Sequence, residues 1–252
     1  MDLPEAALLI AAAFIAGAIN AAAGGGTLIS FPALLLAGYS TKLANVTNRI
    51  ALLPGYFGGS VAYREELRRQ PQNLIAVLGP TVVGALAGSF ILLWTPDSAF
   101  DVIVPFLVLG ACALLWFQEQ VSLLFKARED GRPNLPLLGV SIFLASVYGA
   151  YFGGGLGIVV LAILGVLLPD DIQRSNALKG IIALIVTTLA AVYFAAFADV
   201  AWSAAGVMAL ASFAGGYTGA GIARRMKPRT LRTGVIIYGV IVAVVLFVRL
   251  FT

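Results

Sequence analysis

Three consecutive glycines occur twice in this chain, each time inside an apolar stretch. Gly24, Gly25 and Gly26 lie in NAAAGGGTLISFPALLLAGY, and Gly153, Gly154 and Gly155 follow 129 residues later in YGAYFGGGLGIVVLAILGVLLP. The register persists beyond the runs: Asn45 recurs as Asn176, Gly84 and Gly88 as Gly215 and Gly219, and Pro96 as Pro228, each at an offset of 131 or 132. Landmarks in step over such a distance identify a duplicated half. Since a glycine run ends one helix and lets the next begin, the plan is a broken-helix unit used twice.

The solvent for this unit follows from composition. Hydrophobic residues make up 60 % of the chain, charged residues 11 %, and mean hydropathy is +0.98, which excludes a soluble globule. Hydrocarbon forces backbone groups to pair internally, so the fold class is all-α, a polytopic transmembrane bundle with about 20 apolar residues per span and no extramembrane domain. The net charge of +4 sits in short runs between apolar segments, a pattern of membrane topology and not of nucleic-acid binding. One cysteine, Cys112, and no histidine leave no disulfide framework, haem ligand, zinc site or histidine base. With no mid-span carboxylate either, the expectation is not an enzyme and no cofactor. The opening apolar run ends in Ala21, Ala22 and Ala23 like a signal cleavage site, but it begins with Asp2 and Glu5 and has an internal counterpart, so it is expected to stay in the mature fold.

Apolar runs read against punctuation give five elements per half: Leu3 to Ala23, Thr27 to Ala37, Leu43 to Tyr63, Leu74 to Trp94 and Phe100 to Phe117, then Leu135 to Phe152, Ile158 to Leu168, Ser175 to Phe197, Trp202 to Ala223 and Leu231 to Phe251. The second of each set spans only about half the hydrocarbon thickness, so each break joins the arms of a hairpin dipping into the membrane. Residues 1–118 form the first repeat, 119–134 a cytoplasmic linker and 135–252 the second repeat. Lysine and arginine collect at Arg64, Arg68 and Arg69, in the linker at Lys126, Arg128 and Arg132, and at Arg224, Arg225, Lys227, Arg229 and Arg232, which places these three loops in the cytoplasm. Five elements is an odd number, so the second repeat enters from the opposite side. The repeats are inverted.

Broken helices in duplicated halves are how many transporters build a midplane site. A glycine break exposes backbone N–H groups at the positive end of the next helix, here near Thr27 or Leu156, and lets an oxyanion approach closely. The alternative is that the glycines only permit tight helix crossing, the preferred reading of Gly84, Gly88, Gly215 and Gly219. Asn20, Asn45, Asn48 and Asn176 offer neutral donors near membrane depth, or else bond neighbouring helices. Arg49 and Lys179 each lie about one turn into an apolar helix, either facing a cavity or snorkelling to the interface. The candidate binding residues are therefore Asn20, Gly24, Gly25, Gly26, Thr27, Asn45, Asn48, Arg49, Gly153, Gly154, Gly155, Asn176 and Lys179. Tyr56, Tyr63, Trp94, Trp116, Tyr193 and Trp202 read as an interfacial belt.

NAAAGGGTLISFPALLLAGYSTKLANVTNRIALLPG in the first half, and FGGGLGIVVLAILGVLLP with NALKG in the second, resemble the sulfite exporter TauE/SafE family of bacterial membrane permeases over nearly the whole chain. The resemblance implies a multi-pass protein of the bacterial cytoplasmic membrane. It also implies two inverted repeats that move sulfite, organosulfonates or related small anions by alternating access. The second half departs from the first in carrying Lys179 where Asn48 stands, and Asp170 and Asp171 after Pro169. The expected partners are a small anionic substrate, the lipid bilayer and a second copy of the chain, with no nucleic acid. An anion channel and a non-transporting assembly protein remain the alternatives. Unit conductance would mark the first, absence of liposome flux the second.

Overall fold

The structure is a computed structural model that describes residues 1–22, 25–62, 70–117, 120, 134–168, 172–223 and 228–249. Gly24, Arg64 to Arg69, Lys126 to Arg132, Asp170 with Asp171, and Arg224 to Lys227 lie outside the described residues. Ten helices are described, with no strand among these residues: α1 Leu3–Ala22, α2 Thr27–Leu36, α3 Thr41–Ala62, α4 Pro71–Trp94, α5 Asp97–Trp116, α6 Leu135–Tyr151, α7 Leu156–Leu167, α8 Ile172–Phe197, α9 Trp202–Ala223 and α10 Pro228–Arg249.

Each helix matches one expected element, but six begin two or three residues early. In α3, α4, α5, α8 and α10 the polar or proline residues ahead of the apolar run still belong to the first helical turn. Pro71 fills the first position of α4, where a missing N–H costs nothing, and Asp97 supplies a carboxylate to the first turn of α5. The Asn134 side chain accepts from the Leu137 N–H at 3.2 Å and caps α6. Among the described residues, α1, α4, α5 and α8 contain segments long and apolar enough to cross a bilayer, while α2 and α7, at 10 and 12 residues, are short. Many large apolar side chains, Trp94, Leu210 and Phe213 among them, are exposed, as suits a lipid solvent.

The main helix contacts are unchanged when α1–α5 and α6–α10 exchange places. The pair α1 with α9 maps onto α6 with α4, α3 with α9 onto α8 with α4, and the hairpin α1–α2 onto α6–α7, while α3 with α8 and α5 with α10 map onto themselves. The fourth helix of each half therefore packs on the first helix of the other. Glycines make the close approach possible: a Cβ on Gly84 would meet the Phe143 backbone, and one on Gly215 would meet the Phe14 backbone, the equivalent residue 129 positions earlier.

Polar contacts order the ends of the bundle. Lys42 Nζ, in the first turn of α3, donates to the Thr95 and Leu93 carbonyls at the end of α4 at 2.7 and 3.2 Å and pairs with Asp97 at the start of α5 at 3.1 Å. Gln70 Nε2, just before α4, donates to the Arg174 carbonyl in the first turn of α8 at 2.9 Å. The starts of α3 and α8 thus lie at opposite ends of α4, about 36 Å apart by helix rise. Beside Lys42, the Tyr39 hydroxyl donates to Glu5 at 2.7 Å. Burial and the Glu5 carboxylate push this phenol up to about 12, so it stays a neutral donor at physiological pH.

A Cβ on Gly88 would stand 2.9 Å from the Val147 carbonyl carbon and 3.0 Å from Ala150 Cβ, whereas one on Gly206 would meet nothing within 4 Å. Gly88→Leu is expected to destabilise the protein by about 1–3 kcal/mol or more and Gly206→Leu to leave it unchanged. Thermal midpoints of the two variants in detergent check this, and equal midpoints would refute the exchanged packing of α4 on α6.

Candidate functional site

The second glycine break is held in a conformation that other residues resist. Gly153 and Gly155 have φ of +81° and +75°, the left-handed region, and Gly155 is the N-cap of α7. The Phe152 and Gly153 N–H groups both bond the Tyr148 carbonyl, closing α6. Leu156 N–H bonds the Gly153 carbonyl, and Ile158 and Val159 bond that of Gly155. The Tyr148 hydroxyl donates to the Gly154 carbonyl. The N–H groups of Gly154, Gly155 and Gly157 have no partner among the described residues. These are free donors at the positive end of α7.

Two side chains of α3, from the other half, reach the carbonyl side of the break. Asn45 Nδ2 donates to the Tyr151 carbonyl at 2.8 Å, and Arg49 Nη2 donates to the Gly149 carbonyl. Both are buried, and the guanidinium stands where a side chain on Gly153 would project. Arg49 does not snorkel. Tyr56, two turns further along α3, is packed against the core.

Lys179 approaches from α8. Its Cδ would lie 3.4 Å from a Cβ on Gly157, in the first turn of α7, and its Nζ donates to Asn176 Oδ1 at 3.0 Å. Among the described residues no carboxylate lies within ion-pair distance of Arg49 or Lys179. Among the described residues this break therefore has two cations without a carboxylate partner, Arg49 on the carbonyl side and Lys179 on the N–H side, and three N–H groups without a hydrogen bond, an arrangement whose chemistry suits a small oxyanion.

The first break differs. Gly25 has φ of +100° and packs against Leu115, and the Gly26 N–H is already bonded by Asn20 Oδ1 at 2.8 Å. Ser30 Oγ donates to the Gly26 carbonyl at 3.2 Å, and Thr27 is buried in the first turn of α2. Asn48 is buried on α3 with its Oδ1 unpartnered. Asn45, Arg49, Gly153, Gly154, Gly155, Asn176 and Lys179 thus gather at the second break, while no hydrogen bond among the described residues joins Asn20, Gly25, Gly26 or Thr27 to it. Sequence reasoning overlooked Tyr148, Gly149 and Gly157. The last is a fourth glycine one residue beyond the triplet, and it was the available signal, since it admits the lysine stem.

Comparison with known proteins agrees with this architecture. A "Probable membrane transporter protein" of Haemophilus influenzae is 24 % identical over 234 residues, covering 92 % of this chain and 90 % of the relative. "Probable membrane transporter protein ORF9" of a Sinorhizobium species is 31 % identical over 173 residues, 64 % of this chain and 63 % of the relative. "Probable membrane transporter protein YfcA" of Escherichia coli K12 is 28 % identical over 152 residues, 60 % of this chain and 55 % of the relative. No solved structure matches the chain significantly. The profile described as "Sulfite exporter TauE/SafE" matches residues 9–246, nearly the whole length, and on that match this chain belongs to the sulfite exporter TauE/SafE family of membrane transporters.

Proposed function

We propose that this transporter moves small oxyanions, sulfite or organosulfonates among them, across the bacterial cytoplasmic membrane by alternating access around the second glycine break. The observation that carries the reading is the Lys179 stem against Gly157 in the first turn of α7, where the N–H groups of Gly154, Gly155 and Gly157 lack a partner and no carboxylate among the described residues pairs with the lysine. An uncompensated cation in hydrocarbon costs about 2.5–3.5 kcal/mol even on insertion scales, and a bound anion removes that cost. Neutral Asn176 and Asn45 keep the site from acquiring a fixed counter-ion.

The two repeats run in opposite senses in this proposal. Support comes from the start of α3 beside the end of α4 and the start of α8 beside its beginning. Equivalent helices then enter from opposite sides of the membrane, which gives two nearly equivalent conformations with access exchanged. Because α4 packs on α6 and α9 on α1, the moving bodies are mixed sets of helices and not the sequence halves themselves.

Two variants test the site. A Cβ on Gly154 would meet the Phe152 ring at 2.8 Å and Ala111 at 3.0 Å, so Gly154→Leu fills the break; it is expected to abolish flux into liposomes while the protein still inserts and elutes as a single species. Lys179→Met is expected to weaken sulfite binding about tenfold or more, the worth of a charge-assisted bond of about 1.5–3 kcal/mol, while Arg249→Met at the end of α10 leaves it unchanged. Titration of sulfite against the purified proteins decides it, and equal affinities for the two variants would discard the site. Uptake across a panel of sulfite, sulfonates, sulfate and carboxylates assigns the substrate.

A further inference from the structure

We infer that Arg49 is a positioning residue, a clamp by which the first half of the chain holds the second half's break in shape, and that Lys179 alone of the two cations meets the anion. The assignment of Lys179 rests on the anion reading above; the clamp does not.

The last carbonyls of a helix have no partner within it, and in hydrocarbon water cannot serve. Two of these carbonyls in α6, Gly149 and Tyr151, are taken by Arg49 and Asn45, one turn apart on α3. A helix of one half thus caps a helix of the other with side chains. The guanidinium fills the space beside Gly153, whose left-handed turn no other residue would adopt easily, so cation and turn are fitted to each other.

Helix polarity separates the two cations. Arg49 lies at the C-terminus of α6, the negative end, where a cation is satisfied with no anion present. Lys179 lies beside the first turn of α7, the positive end, held among the described residues by the neutral amide of Asn176. A cation at that place is opposed by the helix until an anion arrives. The residue 131 positions after Arg49 is Gly180, which has no side chain to offer the first-half break, and Asn176 Oδ1 accepts from Lys179.

Hydrogen exchange of the full-length protein in detergent, without anion, tests the clamp, because it reads the break directly. Arg49→Met is expected to speed exchange of peptides covering residues 150–157 about tenfold with other helices unaffected, and to weaken sulfite binding, with Arg49→Lys recovering most of both. Lys179→Met is expected to lose sulfite binding with anion-free exchange at the break unchanged. Loss of binding in Arg49→Met with unaltered exchange would make Arg49 a direct ligand and overturn the inference. An increase spread evenly over all helices, a mere fold defect, would overturn it too. If exchange rises at the break while neither variant alters sulfite affinity, the clamp stands and the anion reading falls. Should Arg49→Met fail to fold, Asn45→Ala gives the same comparison with a smaller rise expected, and no rise there refutes the clamp.

Discussion

Backbone groups that hydrocarbon will not solvate govern this structure. A helix that stops inside the membrane leaves several carbonyls and several N–H groups without partners, each costing free energy comparable to a lost hydrogen bond. At the second break the two sets are treated differently. Asn45, Arg49 and the Tyr148 hydroxyl satisfy carbonyls, whereas three glycine N–H groups are left open. At the first break Asn20 takes the Gly26 N–H, the position equivalent to Gly155. The two glycine runs supply similar backbone freedom, with left-handed turns at Gly25, Gly153 and Gly155, and the side chains around them differ.

Much of this was legible in the sequence because it is written in periods and offsets. Ten apolar runs became ten helices, and the residues 131 apart, Gly84 with Gly215, meet equivalent backbone at Phe143 and Phe14. Helix starts were misplaced where the first turn is polar or opens on proline, as at Thr41, Pro71 and Asp97, because an apolar pattern is silent there. What no pattern carried is which half supplies which group. Arg49 and the first glycine run are neighbours in sequence, and nothing local states that the guanidinium crosses to the second run. That pairing depends on how α3 sits against α6 across about 100 residues of intervening chain, a matter of tertiary packing.

The two halves repeat their helix crossings but not the polar residues around their glycine breaks. Helix crossings retain their small residues in both halves, since a side chain there would push two backbones apart. The polar positions have diverged: Asn48 against Lys179, Arg49 against Gly180. Divergence of this kind makes the two breaks chemically unequal, with Arg49 and Lys179 both at the second.

The exchanged fourth helices have a consequence for how such a chain is made. When α4 leaves the ribosome, the surface it will cover, α6, has not yet been synthesised, and α1 must likewise wait for α9. Its glycine face at Gly84 and Gly88 is then provisionally occupied by lipid, which must be displaced once the second hairpin arrives. Neither half can reach its final packing by itself. Assembly is deferred until nearly the entire polypeptide has been delivered to the bilayer, and an insertion machinery or chaperone that shelters the early helices has a defined interval in which to act.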